Sequence, residues 1–213
     1  MPVLENYNLA SFNGVEVSAG VEVQIMAGLP QMVRVEASND DVLDRLAIEV
    51  IGGTLYITRR HGFADLFKFG GGRILVSVAA PEIESVIASA GSDARLVGNA
   101  GRQLELESSS GSSLRAESID ADRMQVTVSS GSKLVVAGKC GFAEFDSTSG
   151  SSLDARNLDC TEVALNSSSG SKISAAARDA AHIEASSGSS VKLRSRPAKV
   201  AQHIDPGSSI SFG

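Results

Sequence analysis

A short serine-glycine motif recurs at a nearly constant interval through the C-terminal part of the chain. The motif reads S-G-S, with Ala or Pro in place of the first serine in two copies, and an apolar residue follows it. Its glycines are separated by 20, 20, 19, 20, 18 and 19 residues and are Gly91, Gly111, Gly131, Gly150, Gly170, Gly188 and Gly207. A repeat of about 20 residues is too short to bury its own apolar face, so each copy must stack on its neighbours. The interval therefore predicts a solenoid.

Apolar residues alternate on both sides of each glycine, as they do in half-buried β-strands. Leu134 and Val136 stand three and five positions after Gly131, and Met124 and Val126 stand seven and five positions before it. Because residues two apart share one face of a strand, we expect Leu134 and Val126 to lie inside. Each coil is predicted to contain two strands joined by a turn whose glycine adopts positive φ.

A serine follows the glycine in all seven copies. Parallel strands stack about 4.8 Å apart, so chemically like residues lie above one another. The serines are Ser92, Ser112, Ser132, Ser151, Ser171, Ser189 and Ser208. Because a hydroxyl both donates and accepts, we expect a hydroxyl-to-hydroxyl ladder along the solenoid. The nucleophile elbow of a serine hydrolase needs G-x-S-x-G between a strand and a helix, and no copy has that second glycine.

Residues 1–88 lack the motif but alternate strongly, and they read as half-buried strands between turns such as Asn13-Gly14 and Gly52-Gly53. Only the segment from Asp40 to Leu46 suits a helical turn. Aromatic residues make up 4% of the chain and Trp is absent, which fits short β-branched strands. We predict an all-β parallel β-helix in which an N-terminal β-strand region, 1–88, continues or caps a repeat solenoid, 89–213, as one continuous body.

Charge and hydropathy exclude some partners. The net charge is −6 and no long basic run is present, so we do not expect nucleic acid binding. The sequence contains no run of about 18 consecutive apolar residues, so we predict no membrane span. The first ten residues lack the positive and apolar regions of a secretory signal. From the residues alone, a cytoplasmic protein and a protein whose signal has been removed both stay open.

Several stretches together resemble a known family, the "putative auto-transporter adhesin" family with a head GIN domain. They are FNGVEVSAGVEVQIMAG, VRVEASND, GGTLYITRR, ILVSVAAPEIESVIASAGSDARL and the tandem SSGSS copies. The resemblance extends from about Phe12 to Phe212. It implies a parallel β-helix, an exported protein of the bacterial envelope or surface, and adhesin-like binding of cell-surface glycans or proteins.

An enzyme is an alternative reading. Some β-helices are polysaccharide lyases or glycosidases, which use clustered carboxylates or basic residues on one face. Five aspartates could supply such a face: Asp120, Asp122, Asp146, Asp154 and Asp159. Acidic residues on a net-negative protein more often keep it soluble, so we predict no catalytic residue. His61, His182 and His203 fit no ligand spacing, and neither a metal nor a cofactor is expected.

Large aromatic side chains gather in one place outside the repeat. Within the segment from Arg59 to Arg73 stand Phe63, Leu66, Phe67 and Phe69. We expect this aromatic patch either to fold back as a cap on the end of the solenoid or to bind a partner or a second copy.

The two cysteines occupy equivalent positions in neighbouring coils. Cys140 and Cys160 each stand ten residues before a repeat glycine, so we expect them to be stacked neighbours. A separation of one coil suits a disulfide, but side chains that run parallel would disfavour it. We predict two free thiols in contact.

The preferred hypothesis is a non-enzymatic structural or adhesin-like surface module, whose hydroxyl-rich flank is displayed to glycans or proteins. The alternatives are a carbohydrate-active enzyme and a cytoplasmic scaffold that assembles through its ends. An enzyme predicts a groove with converging charges, whereas a scaffold predicts uniform flanks.

Overall fold

The computed structural model describes residues 3–60, 74–98 and 101–213. The chain is all-β and forms a β-solenoid, as predicted, with about six turns of about 20 residues. The N-terminal elements are β1 (Val3–Tyr7), β2 (Gly14–Val17), β3 (Glu22–Ala27), β4 (Met32–Ala37), α1 (Asp40–Leu43), β5 (Leu46–Ile51), β6 (Thr54–Arg59) and β7 (Ile74–Ala80). The later strands are β8 (Ser85–Ala88), β9 (Asp93–Val97), β10 (Gln103–Ser108), β11 (Ser113–Val128), β12 (Lys133–Ser147), β13 (Ser152–Ser167), β14 (Lys172–Ala185), β15 (Ser190–Leu193), β16 (Lys199–Ile204) and β17 (Ser209–Phe212).

Two parallel ladders of strands run the length of the solenoid, one on each side of the glycine turns. Flank A, which precedes the turns, consists of β6, β2, β8, β10, the C-terminal parts of β11 to β14, and β16. Flank B, which follows the turns, consists of β7, β3, β9, the N-terminal parts of β11 to β14, β15 and β17. The middle parts of β11 to β14 form a short third side, where the register shifts.

Stacked columns of apolar side chains fill the interior. On flank B the column is Leu114, Leu134, Leu153, Ile173 and Val191, and on flank A it is Leu106, Val126, Phe145, Leu165 and Ile183. Every member is at most 1% exposed. Burying a side chain of this size contributes roughly 1.5–3 kcal/mol. The prediction that Leu134 and Val126 face inward is confirmed.

The N-terminal region both continues and caps the solenoid. The coil made by β2 and β3 lies between the coil of β6 and β7 and the coil of β8 and β9, so spatial order differs from chain order. Beyond β6 and β7, antiparallel strands cover this end: β5 pairs with β6, β4 with β7, and β1 with β4. The predicted helical turn is α1, where the Asn39 side chain accepts a hydrogen bond from the Val42 amide at 3.0 Å.

One glycine on the third side is required by close backbone approach. Gly138 has φ of 140°, and a β-carbon there would collide with the Ile119 carbonyl oxygen of the preceding coil. Ile119 and Gly138 are direct partners in the parallel ladder. Only glycine lets neighbouring coils pack this tightly where the chain turns the corner.

Candidate binding surfaces

The glycine turns form a ridge between the two flanks. All seven repeat glycines adopt φ between +70° and +87°. In five copies the preceding serine also has positive φ, between +53° and +55°, and these serines are Ser110, Ser130, Ser149, Ser169 and Ser187. Both residues are exposed in these copies, so the ridge displays a line of hydroxyls. An eighth turn of this kind, Ala19-Gly20, was missed in the sequence because Val21 replaces the usual serine.

The serines that follow the glycines lie inside the solenoid rather than on display. Six of them, Ser92, Ser112, Ser132, Ser151, Ser171 and Ser189, are at most 3% exposed. Their hydroxyls reach backwards: Ser171 Oγ donates to the Ser147 carbonyl at 2.6 Å, and Ser151 Oγ donates to the Val128 carbonyl at 2.8 Å. The predicted ladder of hydroxyls is therefore wrong in two respects, since these serines are buried and five of them donate to main-chain carbonyls of the previous coil. A carbonyl is a nearer acceptor than the next hydroxyl of the column, because the turn places each hydroxyl above the last residue of the strand in the previous coil.

The five aspartates do not form one site. Asp120, Asp122 and Asp159 line a depression of about 360 Å³ on the third side, together with Lys139 and Arg178. Arg178 lies 3.6 Å from Asp159 and donates a hydrogen bond to Thr161 Oγ1 at 2.7 Å. The two remaining aspartates lie elsewhere. Asp146 on flank A accepts a hydrogen bond from Asn166, and Asp154 on flank B pairs with Arg156.

The described histidines lie apart from the aspartate depression. His182 is on flank A within 3.3 Å of Glu184, and His203 is 3.4 Å from Asp205. Both are exposed. Within residues 3–60, 74–98 and 101–213, the side chains form no group of three or more His, Cys, Asp or Glu that could hold a metal ion.

Cys140 and Cys160 are stacked neighbours, as expected, but they are joined by a disulfide. The prediction of free thiols is therefore wrong. Their Cα atoms are 4.4 Å apart across directly paired residues on the third side, and both side chains are buried. That separation is at the short end of the range a disulfide spans, so the parallel strands leave the sulfurs within bonding reach.

The aromatic patch of Phe63, Leu66, Phe67 and Phe69 lies outside the described residues. Arg59, at the N-terminal boundary of this segment, is the last residue of β6. The Arg60 amide donates a hydrogen bond to the Arg45 carbonyl. The patch stays a prediction from the sequence.

Flank B carries an excess of positive charge from β9 onwards. Its outward side chains include seven cations, Arg95, Arg115, Lys133, Arg156, Lys172, Lys192 and Arg194. Its carboxylates are Asp93, Glu117 and Asp154. A depression of about 450 Å³ at one end of this flank is lined by Arg156, Asn157, Lys192, Arg194 and Gly213. A basic face is unexpected on a chain whose net charge is −6.

Flank A has the opposite charge. From β10 onwards its outward carboxylates are Glu105, Glu107, Glu144, Asp146, Glu162 and Glu184. The cations among them are Arg123 and Lys199. The two flanks are therefore not uniform, and the molecule has a basic face and an acidic face separated by the ridge of turns.

Arginines pair with two of the three carboxylates of flank B, Glu117 and Asp154. The hydrogen bond from Arg156, at 2.6 Å, holds the pKa of Asp154 below its usual value, and nearby Lys133 acts in the same direction. The hydrogen bond from Arg95, at 2.7 Å, likewise lowers the pKa of Glu117. Both acids are ionised and paired, which leaves the lysines and Arg194 as the flank B cations that form no ion pair with a described residue.

The two charged flanks are hard to recognise in the sequence because each coil adds only one or two charged residues to each flank. A count by position relative to the repeat glycine would have found them. Two, four and six residues after the glycine the charges are mostly Lys and Arg, whereas four, six and eight residues before it they are mostly Glu and Asp.

Comparison with known proteins gives the family. A family model described as "Putative auto-transporter adhesin, head GIN domain" matches residues 11–197. The chain belongs to this family. A comparison with curated proteins finds no match.

Solved structures share the fold of this head GIN domain protein. A putative adhesin from Bacteroides fragilis superposes with a TM-score of 0.86 at 15% identity, covering 99% of this chain and 96% of the other. A putative adhesin from Parabacteroides distasonis gives 0.76 at 14% identity, covering 100% and 97%. A putative lipid binding protein from the same species gives 0.70 at 14% identity, covering 99% and 96%. At these identities the likeness shows the fold.

In the part of the chain that the structure describes, no helix has the length and apolar character needed to cross a membrane.

Proposed function

We propose that this protein is a non-enzymatic binding module of the bacterial cell envelope or surface, which holds glycan or protein partners on the flanks of its solenoid. The observation that carries the proposal is the pair of continuous, oppositely charged flanks. Each is an extended ladder of strands with outward side chains at regular intervals, which suits binding along a surface rather than enclosure of a small substrate. Membership of a putative adhesin family agrees with this role.

The disulfide between Cys140 and Cys160 supports an envelope or surface location. Disulfides form and persist in oxidising compartments such as the periplasm and the cell exterior, and they are rare in the reducing cytosol. Fractionation of the producing cells, with thiol labelling of each fraction, tests this. A protein that is found in the cytosol with two reactive thiols would contradict the location.

Among the described residues, the depression around Asp120, Asp122 and Asp159 is the feature that most favours a carbohydrate-active enzyme. Catalysis there would need one carboxyl group as a proton donor and another as a base or nucleophile. Asp159 lies 3.6 Å from the Arg178 guanidinium, and the lining also includes the cation Lys139. These contacts favour a polar surface depression over a proton donor site.

A panel of immobilised glycans and intact bacterial cells tests the proposed function. We expect the purified protein to bind at least one glycan or cell surface, and to release no reducing ends and no unsaturated sugars from a bound polysaccharide. Release that is lost in Asp120→Asn or Asp159→Asn would establish the enzyme instead. Binding to no glycan and no cell surface would overturn the binding module.

A further inference from the structure

Lysine and serine alternate along one outward column of flank B. The second residue after the glycine in successive coils is Lys133, Ser152, Lys172 and Ser190, and these residues are direct partners in the parallel ladder. Two steps of about 4.8 Å separate the lysines by about 10 Å. Lys192 lies in the adjacent column, opposite Ser174. The result is a regular line of cations with hydroxyl groups between them.

These lysines are available to a ligand. Lys133, Lys172 and Lys192 are exposed and form no ion pair with any residue that the structure describes. The nearby carboxylates Asp154 and Glu117 are held by arginines. The positive charge that remains is therefore carried by the flexible ammonium groups of these lysines and by the Arg194 guanidinium, on a surface rich in serine.

We propose that flank B binds a linear acidic polysaccharide, with carboxylate or sulfate groups, laid along the solenoid axis. The lysines pair with the acidic groups, and the interleaved serines exchange hydrogen bonds with sugar hydroxyls. This inference deepens the proposed function, on which it rests, by naming the face and the class of glycan.

Other partners fit flank B less well. A single-stranded nucleic acid would need aromatic rings on which bases stack, and the outward columns of β9 and of flank B strands β11 to β17 contain none. A second copy could offer its acidic flank A. However, a strip about 30 Å long and about 15 Å wide covers about 450 Å² per partner, well below the roughly 800 Å² of a stable interface. A flexible polyanion needs only such a strip.

The test measures binding of oligogalacturonate by isothermal titration calorimetry, with its methyl ester as the uncharged control. Two double variants remove the same charge: Lys133→Gln with Lys172→Gln on flank B, and Lys139→Gln with Lys199→Gln away from it. We expect the methyl ester not to bind and the flank B variant to bind oligogalacturonate about tenfold more weakly. The matched variant should stay within about twofold of wild type. Affinity should fall as salt rises from about 50 to 200 mM.

Each other outcome overturns the inference. Equal losses in both double variants would mean attraction by net charge alone and not by flank B. If DNA binds as tightly as oligogalacturonate, flank B does not select an acidic polysaccharide and the inference is wrong. Self-association at low salt that is lost in the flank B variant, measured by sedimentation, would make the partner a second copy. If neither oligogalacturonate nor heparin binds but the flank B variant still binds cells, the acidic polysaccharide is rejected as the ligand and the proposed binding module is retained. If wild type binds no cell surface at all, both proposals are rejected.

Discussion

Cys140 of β12 lies directly opposite Cys160 of β13, with 4.4 Å between their Cα atoms and a disulfide joining them. Ala121 and Ala177 lie in the same column, one coil to each side. The bond ties two coils together on the third side. The register of β12 and β13 shifts just before it, between Val135 and Ala137, and the register of β13 and β14 shifts on both sides of Cys160. We infer that it stabilises the least regular part of the solenoid wall.

Replacing both cysteines, Cys140→Ala with Cys160→Ala, should lower the free energy of unfolding. The bond closes a loop whose ends are 20 residues apart, and for a loop of that order the cost of losing it is about 3 kcal/mol. Alanine matches the neighbouring side chains of the column, so packing should survive. Urea unfolding measures the change, with reduced wild type as the control. Equal stability of oxidised and reduced wild type would contradict the stabilising role.

Leu134→Asp should prevent folding or cause aggregation. Leu134 is completely buried in the middle of its column, and an unpaired carboxylate there would cost several kcal/mol. Lys133→Asp, one residue earlier on the outward face, is the control and should change the stability by about 1 kcal/mol or less, because the new carboxylate is exposed. Circular dichroism melting compares the two variants. A wild-type melting temperature for Leu134→Asp would contradict the inward assignment.

The period of the repeat was enough to predict the solenoid and the inward residues, because every inward position recurs at a fixed distance from a glycine. Other features depend on pairing between distant strands. Alternation in residues 1–88 gives no sign that β2 and β3 would lie between the β6–β7 and β8–β9 coils. Nor does it show which carbonyl a buried hydroxyl such as that of Ser171 would reach. The charged residues of the flanks are visible in the sequence, but they are spread over many coils and form a face only when the coils stack.

The aromatic patch gives a prediction that separates its two expected roles. Phe67→Ala with Phe69→Ala should lower the melting temperature without changing assembly if the patch caps the solenoid. It should abolish association at unchanged melting temperature if the patch is an interface. Burial of each ring contributes roughly 1.5–3 kcal/mol, so one effect should be measurable. Phe67→Leu with Phe69→Leu keeps the apolar character and serves as the control. If calorimetry and sedimentation both match wild type, the patch has neither role.

Ser171→Ala should destabilise the protein although it removes a single oxygen atom. The Ser171 hydroxyl is buried, donates to the Ser147 carbonyl at 2.6 Å and lies 2.9 Å from Ser167 Oγ. Its loss leaves the buried Ser167 hydroxyl without its Ser171 partner. The expected cost is about 1–2 kcal/mol.

Ser169→Ala provides the matched control for this change, because Ser169 is an exposed serine of the same turn and its loss should cost about 0.5 kcal/mol or less. The double variant Ser167→Ala with Ser171→Ala removes both members of the buried pair. It should therefore cost less than the sum of the two single changes, which a double-mutant cycle in urea measures. Strict additivity, or equal effects of Ser171→Ala and Ser169→Ala, would show that the buried hydroxyls do not stabilise the stacked coils as a pair.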